Sequence, residues 1–185
     1  MLDSFGIAAA VVLVFSDMAI QTAVLAGGCF WGLEELFRKL PGVSDTEAAY
    51  VGGENEHPTY ESHPGHAEAL KIDFDPSVIS YREILDFFFR IHDPTTLNRQ
   101  GNDVGASYRS AIFYANDEQK KVAEDFIDLV NKNGAWGSPV VTTVEPIKNY
   151  SKAEEYHQDY LQKNPGGYTC HFVRSIPSFL PAKNG

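Results

Sequence analysis

From residue 21 onward the chain switches repeatedly between two hydrophobic periods. Residues 21–26 (QTAVLA) read as a short buried strand that runs into Gly27 and Gly28. Over residues 32–40 the period lengthens: Leu33, Leu36, Phe37 and Leu40 share one helical face, and Pro41-Gly42 stops the helix. Residues 43–51 predict a second strand, closed by Gly52-Gly53. Residues 67–74 alternate, with Leu70, Ile72 and Phe74 on one face and Lys71 and Asp73 on the other. Ser80 and Glu83 have capping-box spacing at the start of a helix through Ile91, which has Ile84, Leu85, Phe87, Phe88 and Ile91 to bury. Residues 110–115 predict a strand. Asn116 or Asp117 then caps a helix to about Asn133, with Val122, Phe126, Leu129 and Val130 in register. The β-branched residues 140–145 suggest a last strand. A short helix over 153–162 precedes a tail rich in Gly and Pro from Asn164.

The order β-α-β-β-α-β-α-β predicts an α+β fold: a two-layer sandwich on a ferredoxin-like β-α-β-β-α-β core, with a mixed sheet and a long C-terminal coil tail. Two long polar stretches, 52–65 and 92–107, interrupt it. Loops of that length in compact domains tend to carry function, so a site is expected beside them.

Length and composition fit this picture. The 185 residues suit one domain with a sizeable core. The net charge of −10 repels phosphate backbones and argues against nucleic-acid binding. Residues 5–15 (FGIAAAVVLVF) are apolar but too short to span a bilayer, which takes about 20 residues. No Lys or Arg precedes them and the residues after them make a poor cleavage site, so a signal peptide is disfavoured. The expected organisation is an apolar extension over 1–19 and one catalytic domain over 20–185. The expected location is cytoplasmic, with export through residues 1–19 as the alternative.

The chain has only two cysteines, Cys29 and Cys170. They could be two buried apolar residues, one bridge or a catalytic pair, and composition does not choose. Context does. Cys29 falls between a strand and a helix, where unpaired N–H groups and the helix dipole favour a thiolate. A thiol shifted from about 8.5 to about 7 would hold roughly fifteen times more thiolate at neutral pH. Glycines on both sides of Cys29, in Gly27-Gly28 and Gly32, let the backbone approach a ligand closely. Phe30 and Trp31 lie off the apolar stripe of the following helix and can wall a pocket suited to a methyl thioether. Glu68 shares the parity of Leu70, Ile72 and Phe74, so it points to the buried side of its strand. There desolvation raises a carboxyl pKa, as a general acid requires.

These residues lie in segments that resemble the A-type peptide methionine sulfoxide reductases. GGCFWG at 27–32 is similar to that family's active-site signature. PTY at 58–60, GHAEA at 65–69, HDPTTLNRQGNDVGASYRSAIFY at 92–114 and YHQDYL at 156–161 match in the same order, so the resemblance covers residues 23–174. It implies reduction of methionine S-sulfoxide, protein-bound or free, and a role for each matching residue. Cys29 is the nucleophile at the sulfoxide sulfur. Glu68 protonates the oxygen, which Tyr60 and Tyr108 hydrogen-bond. Phe30 and Trp31 hold the substrate methyl group. Asp103 supports the site through its loop, and His157, Asp159 and Tyr160 belong to a structural or supporting motif. Cys29 would then carry a sulfenic acid, which condenses with a second thiol. Cys170, in a tail expected to swing in, is the only candidate. Thioredoxin would return the disulfide to thiols. No metal or organic cofactor is implied, and a monomer is expected.

Three features depart from the family pattern. Only seven residues separate Tyr60 from Glu68, where many relatives have a longer stretch with its own cysteine. The second recycling cysteine of other relatives is missing. The apolar amino terminus is an addition. Two rival readings stay open on the residues alone: a thiol peroxidase using the same sulfenic acid, and a module that binds sulfoxide-bearing or Met-rich partners without turnover.

Overall fold

The computed structural model describes residues 19–182, so the apolar stretch 5–15 lies outside the described residues. One six-stranded sheet organises them, in the order β7-β6-β1-β3-β2-β8. Its elements are β1 (Gln21–Gly27), α1 (Phe30–Phe37), β2 (Val43–Val51), β3 (Ala67–Phe74), α2 (Tyr81–Ile91), β6 (Ser110–Tyr114), α3 (Asp117–Asn133), β7 (Thr143–Pro146) and β8 (Ser151–Lys152). The two-residue strands β4 (Arg99–Gln100) and β5 (Asp103–Val104) form a separate hairpin, and α4 (Tyr160–Lys163) is a single turn.

The central order β6-β1-β3-β2 is antiparallel throughout and is the expected split β-α-β arrangement. The helix α3 crosses over to lay β7 parallel to β6, which makes the sheet mixed. Alternation decides which residues meet the helices. Ala23 and Leu25 of β1 and Leu70, Ile72 and Phe74 of β3 form the core with Leu33, Phe37, Leu85, Phe88, Phe89 and Phe126. The opposite parity, Val24, Ala26, Ala67 and Ala69, is buried on the other face. Glu68 therefore lies on the helix side of the sheet, at the end of β3 nearest the start of α1.

Local signals fix the helix ends. The Ser80 hydroxyl accepts from Glu83 N–H and the Glu83 carboxylate accepts from Ser80 N–H, completing the expected capping box. Asn116 caps α3, which ends on Gly134 at φ +73°.

Three expectations need correction. The first helix starts at Phe30 rather than residue 32, directly after Cys29, which becomes its cap. Residues 153–159 are not helical. They turn so that the side chains of His157 and Gln158 point inward, and Gln158 bonds both Ala48 N–H and Ala48 C=O. The tail does not hang free. Its coil backbone is tied down: His171 Nε2 donates to the Gly27 carbonyl (2.7 Å), Arg174 N–H to Arg90 C=O (2.9 Å) and Phe179 N–H to Asp86 Oδ1 (2.7 Å). Phe179 also enters the main core. Irregular segments hide such anchors from periodicity, because each is a single contact rather than a repeat.

Candidate active site

The site begins where β1 stops. Gly28 takes φ +103°, a region that L side chains rarely adopt, and this turn delivers Cys29 to the start of α1. Cys29 is buried, 6% exposed. Trp31 N–H bonds its sulfur and favours the thiolate, but burial, and next the charge of Glu68, push the thiol well above its ordinary range. Burial therefore opposes the expected activation by the helix start. Desolvation of a buried anion beside a carboxyl outweighs one N–H bond and the helix dipole.

Glu68 behaves as expected. It is 2% exposed, and its Oε2 accepts the Phe30 N–H at 3.2 Å. The first turn of α1 therefore gives one donor to the carboxyl and the next to the thiol. Burial raises the Glu68 carboxyl to about 8, the Phe30 bond opposes this, and Asp103 adds to it. Neutral Glu68 outnumbers its anion by about ten to one at pH 7. At neutral pH the resting site holds both protons, one on sulfur and one on the carboxyl.

Cys29 and Glu68 face a cavity of about 100 Å³, whose walls include Phe30, Trp31, Tyr60, Asp103 and Tyr108. That is the space of about three water molecules, enough for the end of a side chain. The six residues expected around the nucleophile all line it, and Cys170 does not. Tyr168 joins them, and its polar neighbours explain why: its hydroxyl donates to Asp103 Oδ2 at 3.2 Å. Larger cavities of about 780 and 570 Å³ lie against α2 and carry neither cysteine nor histidine. Tyr108, in the turn before β6, is pushed up by burial and by Glu68, and Tyr60 is shifted the same way, so both remain phenols that can donate.

The motif near residue 157 holds Trp31. The indole N–H donates to His157 Nδ1 at 3.0 Å, and its ring stacks on Tyr160 with centroids 3.7 Å apart and planes 10° from parallel. His157 is buried and kept below its usual range by desolvation, so it is neutral and carries its proton on Nε2. Asp159 pairs with Arg38, and its N–H bonds Glu34 Oε2 at 2.8 Å, which ties this turn to α1.

Cys170 is half-buried and, like Cys29, a free thiol. Its Sγ lies 3.5 Å from Asp103 Oδ2 and 3.6 Å from His171 Nδ1. Burial and the Asp103 carboxylate raise it to about 11. Its charge also bears on Cys29, so the two thiols are electrostatic neighbours. Sequence reasoning missed Tyr168 and His171. The signal for Tyr168 was its position two residues before Cys170, which in extended chain puts both on one side. Among the described residues no cluster of three or more His, Cys, Asp or Glu could hold a metal ion.

Fold and site together set a buried thiol beside a carboxyl that burial keeps protonated, an arrangement suited to thiol chemistry. Residues 21–179 match the model of the peptide methionine sulfoxide reductase family. The chain is 60% identical over 166 residues to a peptide methionine sulfoxide reductase MsrA from Mycobacterium sp. (strain MCS), covering 88% of this chain and 97% of that protein. It is 58% identical to the MsrA of Streptomyces coelicolor, covering 91% and 98%. Its structure is similar to that of reduced Mxr1 from Saccharomyces cerevisiae (TM-score 0.79, 41% identity, 84% and 92% covered) and to methionine sulfoxide reductase A of Corynebacterium diphtheriae (0.76, 32%, 88% and 84%). Mxr1 in complex with Trx2 is also similar (0.60, 30%, 88% and 96%). The chain belongs to the peptide methionine sulfoxide reductase family.

Proposed function

We propose that this protein reduces the S epimer of methionine sulfoxide, with Cys29 as nucleophile, Glu68 as proton donor and Cys170 as resolving thiol. The observation that carries the reading is the meeting of a buried thiol and a protonated carboxyl in a side-chain-sized cavity walled by aromatic rings.

The resting protonation states give the order of events. Sulfur of the sulfoxide must gain electrons while its oxygen gains a proton. Glu68 gives its proton to the oxygen, assisted by hydrogen bonds from Tyr60 and Tyr108. The emerging Glu68 carboxylate can then take the proton of Cys29 as its sulfur attacks. With that proton passed on from Glu68, the oxygen leaves as water; a water then attacks the Cys29 sulfur and gives a proton back to Glu68, the new S–S bond breaks, methionine is released, and Cys29 is left as a sulfenic acid. The thiol thus need not ionise beforehand, which suits its raised pKa. Phe30 and Trp31 hold the methyl group, and His157 and Tyr160 hold Trp31. Cys170 then displaces water from the sulfenic acid to form a disulfide. A dithiol protein of the thioredoxin kind returns both thiols, in keeping with the complex of the similar protein Mxr1 with Trx2. No helix among the described residues is long and apolar enough to cross a membrane, and cytoplasmic action is the reading we favour.

The test is a dithiothreitol-driven assay on the separate S and R sulfoxide epimers, with Cys29→Ser beside the wild type. Methionine should appear only from the S epimer and only with Cys29 present. Turnover in Cys29→Ser, or hydrogen peroxide consumed as fast as the sulfoxide, would end this account.

A further inference from the structure

The tail that carries Cys170 is joined to the nucleophile's own segment at one buried point. His171 is 5% exposed, and its Nε2–H donates to the Gly27 carbonyl, two residues before Cys29, at 2.7 Å. This bond fixes the tautomer: with the proton on Nε2, Nδ1 is left as an acceptor, 3.6 Å from Cys170 Sγ. The ring is packed as well as bonded. A side-chain carbon at Gly32 of α1 would lie 2.4 Å from both His171 Nδ1 and Thr169 Oγ1, so the tail sits in the space that this glycine leaves. Thr169 Oγ1 in turn accepts the His171 N–H at 3.1 Å. A Cβ at Gly101 would come within 3.2 Å of Cys170 Cβ, so the turn between β4 and β5 packs against this residue.

We infer that His171 is the positioning residue of the resolving step: by bonding the Gly27 carbonyl it holds Cys170 beside the start of α1, ready for the Cys29 sulfenic acid. The inference rests on Cys170 being the resolving thiol. In that step Cys170 Sγ attacks Cys29 Sγ and the Cys29 S–O bond breaks. The leaving hydroxide takes a proton and departs as water, and the Cys170 thiol gives up its own proton, so protons balance. Cys170 is oxidised, the Cys29 sulfur is reduced from sulfenic to disulfide level, and no outside oxidant enters. His171 does not accept that proton. It is neutral, flanked by His92 and Arg174, and burial disfavours a second charge there; the carboxylate of Asp103, 3.5 Å from Sγ, is the better acceptor. The imidazole contributes geometry, and orientation of two reacting groups is worth large rate factors.

The experiment separates the two steps in one mixing. Reduced protein receives one equivalent of sulfoxide without reductant. Methionine release reports sulfenic acid formation, and dimedone labelling of Cys29 against loss of free thiols reports disulfide formation. His171→Ala should slow disulfide formation roughly ten- to a hundredfold relative to methionine release, with dimedone adduct accumulating. His171→Gln, whose amide N–H can reach the Gly27 carbonyl, should restore most of the rate. Disulfide formation in His171→Ala at the wild-type rate would overturn the inference, as would a defect of equal size in His171→Gln. Cys170→Ser is the control for the underlying reading: if its Cys29 sulfenic acid disappears as fast as in the wild type, or it recycles undiminished under thioredoxin, Cys170 is not the resolver, and that failure is distinct from a failure of His171.

Discussion

The proton on Glu68 gives the sharpest prediction, because two accounts of the nucleophile demand opposite slopes. The carboxyl titrates at about 8, while Cys29 titrates far higher. If the reacting form carries both protons, its population is about 90% at pH 7, half at pH 8 and about 10% at pH 9. The rate of methionine release in a single turnover should then be level below pH 7 and fall about tenfold from pH 7 to 9. If a pre-formed thiolate attacked instead, the rate would rise through pH 8. Glu68→Gln keeps the shape of the side chain but has no acidic proton. Since general acids typically contribute 10²- to 10⁴-fold, its rate at pH 7 should fall about a hundredfold or more, with the smallest loss at low pH where other acids substitute. Removing the charge also removes one cause of the raised Cys29 pKa, so alkylation of Cys29 by iodoacetamide at pH 9 should be faster in Glu68→Gln than in wild type. Quenched-flow measurement of methionine between pH 6 and 9.5 decides the matter. A rate that climbs through pH 8, or a Glu68→Gln rate equal to wild type at pH 8, would refute the acid role.

Other outcomes follow from the same geometry. Cys170→Ser should release one methionine per chain and then stall with thioredoxin while still turning over with dithiothreitol; steady thioredoxin-driven turnover would count against Cys170. His157→Ala removes the acceptor of the Trp31 indole N–H, so KM for a methionine sulfoxide peptide should rise several-fold with a smaller change in kcat, and an unchanged KM would show that Tyr160 stacking suffices. Glu68 should also cost stability: a folded pKa of about 8 against 4.5 in an open chain means native stability is lost as pH rises from 4.5 to 8, at most about 5 kcal/mol. Glu68→Gln should therefore raise Tm at pH 8.5 and leave it nearly unchanged at pH 4, as thermal unfolding at the two pH values would reveal.

Most of the frame was legible because it repeats. Alternation over 67–74 put Leu70, Ile72 and Phe74 on the helix side, and the same parity put Glu68 there, where it is found. The capping box at Ser80 and Glu83 and the glycine after α3 set helix ends through local hydrogen bonds alone. The two polar stretches could be named as bearers of the site, and they supply Tyr60 and Asp103, with Tyr108 next after the second. The single-turn helix near residue 160 was overextended, because the inward turn of His157 and Gln158 serves Trp31 and Ala48, residues more than a hundred positions away.

The clearest divide runs through Cys29. Its place between a strand and a helix, and its company of Gly28, Phe30 and Trp31, could be read from the chain, since these are matters of neighbouring residues. Its protonation state could not. That depends on how much water reaches the sulfur and on which charges face it, and Glu68 and Asp103 come from other elements. The sequence predicted a thiolate from the helix start; the fold buries the sulfur beside a carboxyl and keeps its proton. Local hydrogen bonding and periodicity are short-range and are written in order along the chain. Desolvation, electrostatic coupling and the docking of the tail through His171 are properties of what the closed fold brings together.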